Sequence, residues 1–176
     1  LTGKHSHLNG VTMWQEFDGN QFTFPKALQK AGYQTAIFGK WHLGSNPTGF
    51  DEWKVHPGQG SYYNPDFITP EGTRRITGYA TDITVDMSLA FTARNTASGK
   101  PLLVMRQSKA PHRTWQPSPT TLDHYSDKKS PEPDSLFDDY SGRAGPAAKN
   151  KMEIGKDMRM DYDLKYPAGK SSNSAG

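Results

Sequence analysis

The sequence predicts an α/β fold, a mixed sheet flanked by helices and joined by long loops. Three observations predict it. A helix-period segment runs directly into a short apolar, β-prone run within residues 23–38. The same order recurs within residues 80–105, and helix followed by apolar strand, twice, is the pattern of an α/β sheet. Finally, 17 glycines and 13 prolines among 176 residues predict much loop.

Taken in order, residues 1–20 are polar and punctuated by Gly3, Gly10 and Gly19. His5 and His7 sit two apart, but no third ligand lies near them, so they read as loop residues. Residues 23–31 form a short helix. Thr23 is placed to cap it, Pro25 suits its first turn, and Gly32 stops it. Phe24, Ala27, Leu28 and Ala31 give it one apolar face. Residues 33–38 are the first strand.

Residues 43–78 read as one long connection, rich in Gly, Pro and rings. Phe50, Trp53, Tyr62, Tyr63 and Phe67 predict that it folds over something. Those rings, interleaved with Asn46, Asp51, Gln59, Asn64 and Asp66, suit either a sugar-binding loop or a satellite core. Residues 80–95 are the strongest helix, with Thr81 as cap and Ile83, Met87, Ala90, Phe91 and Arg94 on one side. Leu102-Leu103-Val104-Met105 is a short buried strand. Beyond Trp115 prolines and charges dominate. There, Leu136, Phe137 and Tyr140 are candidates to dock, and 147–160 is a candidate helix. The last residues, 167–176, are low-complexity and expected to be disordered.

Composition excludes several classes. Only 33% of residues are hydrophobic, which allows a modest core, and twenty aromatic residues (four Trp, eight Tyr, eight Phe) oppose wholesale disorder. The absence of cysteine rules out a disulfide framework or a zinc-thiolate site within this sequence. Net charge is only +3, and the basic pairs Arg74-Arg75 and Lys128-Lys129 lie far apart, so nucleic acid is not an indicated partner. No stretch approaches the 18 or so apolar residues of a membrane span.

The chemistry concentrates in Gly32-Tyr33-Gln34-Thr35-Ala36-Ile37-Phe38-Gly39-Lys40-Trp41-His42-Leu43-Gly44. Alternate residues of an extended segment share a side. If the strand persists through Trp41, Lys40 and His42 project into one space at its carboxyl end, where open α/β sheets bind ligands. A fixed ammonium beside a proton-moving imidazole suits an anionic group undergoing transfer. The plain alternative is a turn with a solvated lysine and a structural histidine. The second apolar run ends in the same manner, delivering Lys109 and His112.

This long stretch resembles the second signature of the sulfatase family. Leu1-Thr2-Gly3-Lys4 resembles the segment that follows the sulfatase nucleophile, and Lys109-Ala110-Pro111-His112 resembles a later strand-end histidine motif. Pro57-Gly58-Gln59-Gly60 and Tyr62-Tyr63-Asn64-Pro65-Asp66-Phe67 resemble bacterial sulfatases that act on N-acetylglucosamine 6-sulfate. The resemblance runs to about Tyr166 and is most specific over 1–116. It implies a fragment of an alkaline-phosphatase-like sulfatase domain over 1–166, beginning a few residues after the nucleophile. Leu1 and its neighbours are then the end of a helix closed by Gly3.

The resemblance also implies roles. Lys40 would neutralise a sulfate oxygen, His42 would hydrogen-bond the nucleophile, and His112 would protonate the leaving oxygen as general acid. Lys109, Arg113 and Trp115 would hold the substrate, a sulfated carbohydrate. The family's formylglycine and its calcium ion are expected outside this stretch, which holds neither the Cys/Ser-x-Pro-x-Arg nucleophile motif nor a metal motif. Asp138-Asp139 does not follow an apolar strand and is not assigned to metal. A periplasmic or extracellular location is implied as well, and this stretch alone is expected to be inert. Two other readings stay open: a phosphatase or phosphonate hydrolase of the same superfold, and a non-catalytic binder of sulfated glycans.

Overall fold

In the computed structural model, which describes residues 1–159 and 161–163, the first strand is the hub. Gln34–Lys40 (β1) follows helix Phe24–Lys30 (α2) and runs parallel to both its neighbours. On one side lies Glu52–His56 (β2), on the other Leu102–Gln107 (β5). Asp66–Thr69 (β3) and Gly72–Arg75 (β4) extend the sheet antiparallel beyond β2, in the order β4-β3-β2-β1-β5. Ser6–Asn9 (α1) precedes this layout, and Ala80–Thr96 (α3) leads into β5. The sheet is therefore mixed and flanked by helices, as expected.

Period-two alternation explains how β1 is buried on both faces. Ile37 joins Phe50, Trp53 and Val55, backed by Trp41, Leu103 and Met105. Ala36 and Phe38 join Phe91 of α3, backed by Met87, Leu102 and Val104. Each fully buried Ile or Phe contributes roughly 1.5–3 kcal/mol, so the strand that carries the site is anchored by an apolar cluster on each face.

Alpha3 uses only part of the predicted face: Phe91 is buried and Met87 packs with it, whereas Ala90 and Arg94 are exposed. Its buried residues are Ala80, Thr84, Ser88 and Phe91, while Leu89 is exposed. The hydroxyls of Thr84 and Ser88 donate to the carbonyls of Ala80 (3.0 Å) and Thr84 (2.7 Å), which makes them tolerable in a core. Small side chains let the helix approach closely at one place. A Cβ on Gly39 would lie 3.4 Å from Thr84 Cγ2 and only 2.0 Å from the carbonyl oxygen of Gln107.

The segment 43–78 is not a structureless connection, because it supplies β2, β3 and β4. Its rings are mostly core. Phe50, Trp53, Tyr62 and Phe67 are buried, whereas Tyr63 is exposed. Gly3 takes a left-handed φ of 71°, and the short α1 lies later, closed by Gly10 at φ 84°. His5 and His7 stack on each other at 5.8 Å. Thr23 holds the cap position of α2 without a capping hydrogen bond, and α3 begins at Ala80 with Tyr79 in the cap position instead of Thr81.

The chain divides into two units, Leu1–His112 and Arg113–Gly176. Among the described residues of the second, turns dominate, with two four-residue helices, Gly145–Ala148 (α4) and Ile154–Asp157 (α5), where one longer helix was expected. Leu136, Phe137 and Tyr140, the candidates to dock, are exposed. The expected tail 167–176 lies outside the described residues.

Gly39→Ala should cost about 2–4 kcal/mol, from a left-handed φ of 103° and the collision with Gln107 together. A thermal melt should show Tm falling by several degrees; an unchanged Tm would mean the two strands are not pressed together at that point.

Candidate active site

Three parallel strands end at one edge of the sheet. Lys40, the last residue of β1, lies opposite His56, the last of β2, and Gly39 lies opposite Gln107, the last of β5. The strand does not persist through Trp41. It ends at Lys40, and His42 takes a left-handed φ of 59°, a conformation that costs a non-glycine residue energy and often marks a functional site. Trp41 anchors the turn. Its indole N–H donates to the Ser45 carbonyl at 2.7 Å, and its ring meets Phe50 edge-on.

Lys40 and His42 are joined by a third residue. The Lys40 ammonium donates to Gln59 Oε1, and Gln59 Nε2 lies 3.4 Å from His42 Nδ1. Gln59 is the exposed tip of the Pro57–Gly60 turn, whose glycines take φ 53° and 68°. The turn closes with the Gly60 amide on the Pro57 carbonyl at 3.0 Å. It rests on His56, for a Cβ at Gly60 would come within 2.8 Å of that ring.

His56 is sealed, with 2% of its surface exposed. Its ring lies 4.4 Å from that of Phe67, Nδ1 is 3.4 Å from the Asp66 carbonyl, and Nε2 has no hydrogen-bond partner among the described residues. A carbonyl accepts only, so Nδ1 carries the proton. Burial pulls the imidazole below its ordinary titration range; the Asp66 carbonyl partly opposes this, and the charge of Lys109 reinforces it.

The tip of β5 supplies the other groups. Lys109 is buried, donates to the Gln59 carbonyl at 3.2 Å, and stands 4.8 Å over the Tyr62 ring. Burial first, and then the charge of Lys40, lower its ammonium from the ordinary lysine range. The Tyr62 hydroxyl donates to the His112 carbonyl at 2.7 Å, and the His112 amide donates to the Lys109 carbonyl at 3.0 Å. The structure thus ties Lys40, His42, Gln59 and Lys109 into one network and fixes the backbone of His112 to the ring beneath Lys109. The His112 side chain is exposed.

Arg113 and Trp115 belong to the second unit. The Arg113 guanidinium donates to the Asp163 carboxylate, Nε to Oδ1 at 2.7 Å, and Trp115 is exposed. Among the polar loop candidates, Asp51 serves the opposite end of the sheet, accepting from the Thr35 amide and Gln29. Asn64 accepts from the Gly78 amide, and Asp66 pairs with Arg75.

Sequence reasoning missed the linking role of Gln59 and the floor role of Tyr62. The available signal was a Gly-Gln-Gly turn immediately after a parallel strand. It also passed over Trp14, which is 84% exposed. Trp14 lines a groove of about 540 Å³ together with Met13, Glu16 and His42.

The carboxylates here do not fit a calcium shell. Among the described residues no group of three His, Cys, Asp or Glu is arranged to hold a metal ion. Asp138 is held by Arg143, and Asp139 accepts from the Ser141 amide at 2.8 Å.

Residues 1–156 match the sulfatase family model. The chain belongs to the sulfatase family. It is 48% identical over 171 residues to an N-acetylglucosamine-6-O-sulfatase of Bacteroides thetaiotaomicron, an alignment covering 94% of the chain and 30% of that sulfatase. A mouse N-acetylgalactosamine-6-sulfatase is 48% identical over 63 residues, 30% of the chain and 12% of that protein. A solved structure in complex with its substrate, D-glucosamine-2-N,6-O-disulfate, superposes with a TM-score of 0.81 at 47% identity. That superposition covers 94% of this chain and 34% of the other. This sulfatase chain therefore spans about a third of the length of the two relatives that align over 94% of it. The five-stranded mixed sheet is part of the alkaline-phosphatase-like fold of such sulfatases.

The buried His56 makes stability pH-dependent. Its folded value lies below the unfolded 6.5, so below that pH the unfolded chain binds more protons and stability falls. Urea midpoints should drop between pH 7 and pH 5, and His56→Phe, which keeps the contact with Phe67, should flatten that drop. An equally steep drop in the variant would assign it to other groups.

Proposed function

We propose that this chain forms the anion-holding part of a sulfuric ester hydrolase that removes sulfate from a sulfated glycan, with the 6-sulfate of N-acetylglucosamine as the ester. The observation that carries this reading is the network at the strand tips. Lys40, His42 and Lys109 meet around Gln59, where positive charge and N–H donors suit a tetrahedral anion. The 48% identity to a curated N-acetylglucosamine-6-O-sulfatase supports the sugar, as does the likeness to a structure holding a sulfated glucosamine.

Each residue has a distinct task. Lys40 leaves the Gln59 side-chain oxygen Oε1 for a sulfate oxygen and stabilises the charge that builds there. His42 hydrogen-bonds the nucleophile. His112, on the second tip, gives a proton to the bridging oxygen as the sugar alcohol departs. Lys109 acts from below, holding the Gln59 backbone and adding positive potential. The sugar lies along the groove walled by Trp14 and His42; the family resemblance assigns Arg113 and Trp115 to substrate binding as well. In this family a formylglycine supplies the nucleophile and calcium the remaining charge; residues outside this chain would hold them. The same reading puts the enzyme in the periplasm or outside the cell.

Steady-state kinetics of the full-length enzyme test this. Lys40→Ala and His112→Ala should each lower kcat/KM on an aryl sulfate by about 10²–10³, the range for losing one charge-stabilising donor or a general acid. Near-native rates from either variant would remove that residue from its task. A strong preference of the native enzyme for aryl phosphate over aryl sulfate would point instead to a phosphatase of this superfold.

A further inference from the structure

We infer that Gln59 is a positioning residue that fixes the tautomer of His42, with the ring proton on Nε2 in the resting site. This deepens the reading above and rests on it for its catalytic meaning. The argument is one of donor and acceptor matching. The Lys40 ammonium has three donors and no acceptor, so the atom of the Gln59 amide that faces it must be the carbonyl oxygen. The amide NH₂ then faces His42 Nδ1, at 3.4 Å. An NH₂ only donates. Nδ1 must therefore present its lone pair, and the proton of the neutral imidazole lies on the other nitrogen.

Two features make this arrangement a built one. The Gln59 backbone is pinned by the buried ammonium of Lys109, through its carbonyl, at 3.2 Å. The turn on either side is set by Gly58 and Gly60 in left-handed conformations, and Gly60 rests against the sealed ring of His56. The amide therefore reaches Lys40 and His42 from a fixed base. His42 is turned toward it by its own left-handed backbone, φ 59°.

The chemical consequence is specific. In this tautomer Nε2 gives a hydrogen bond to an oxygen of the nucleophile or the ester. It cannot take a proton from that oxygen until the ring passes to the other tautomer. Lys40 and His42 are also coupled, because an ester oxygen that draws Lys40 away from Gln59 frees the amide that holds His42.

Histidine nitrogen NMR on the ¹⁵N-labelled full-length protein tests this, with the His42 signals assigned by their loss in His42→Asn. The native protein should show Nδ1 unprotonated and Nε2 carrying the hydrogen. Gln59→Glu should reverse the pattern, since a carboxylate accepts from Nδ1–H while still accepting from Lys40. Gln59→Ala should leave a mixture. The remaining histidine signals report whether each variant is folded. Turnover of an aryl sulfate by Gln59→Glu should fall about 10–100-fold in kcat, the range for partners that orient an active imidazole, with KM little changed. A native His42 with its proton on Nδ1, or a tautomer unmoved by both substitutions, overturns the inference. A native enzyme that cleaves no sulfate ester would sink the functional reading instead, while the NMR result would still decide the role of Gln59.

Discussion

The site depends on one close approach. Gly39 sits against the backbone of β5, so near that any side-chain carbon there would strike the Gln107 carbonyl at 2.0 Å. That contact sets the ends of β1 and β5 side by side at the level where both strands turn into loops. Lys40 and His42 leave from one end, Lys109 and His112 from the other. The small face of α3 is the counterpart of this closeness, since Thr84 and not a larger residue packs over Gly39. Local backbone sterics thus decide where the charges lie.

A second layer of order comes from the strand on the other side. Beta2 ends at His56, whose sealed ring supports a glycine-flanked turn, and the turn carries Gln59 back across the tip of β1. Burying a histidine with a bare nitrogen is costly. Its burial makes sense as the base of this turn, fixed on one side by Phe67 and on the other by Gly60. Lys109 is likewise buried at a cost that its bond to Gln59 and the face of Tyr62 offset in part.

Much of this was legible in the sequence. Beta1 and β5 were visible as apolar runs after helical segments; β1 needs that continuous apolar character because both its faces are buried, whereas β5, expected to be buried, ends the sheet and is only half-buried. The polar pair in Gly39-Lys40-Trp41-His42 stood out for the same reason, as charge directly after such a run. Less legible were the strands within 43–78. Trp53 and Val55 alternate with Glu52 and Lys54, a two-residue period that length and loop composition obscured. Beta4 has no buried residue at all, so only pairing with β3 defines it. The α3 face was read only in part: Phe91 and Met87 do pack inward, but Thr84 and Ser88 were missed because hydroxyls satisfied by their own helix bury like small apolar groups. The link through Gln59 had no sequence signal of its own, since it joins residues 17 and 19 positions apart, and the left-handed turn at His42 replaced the extended geometry that spacing alone suggests.

The central claim is that the two strand tips work on one bond. A double-mutant cycle between Lys40 and His112, measured as kcat for an aryl sulfate in the full-length enzyme, tests it most directly. Side chains serving a single transition state are strongly non-additive, so Lys40→Ala/His112→Ala should turn over little more slowly than the worse single variant. A double variant slowed by the full product of the two single effects would show the two tips acting independently, and would contradict the account.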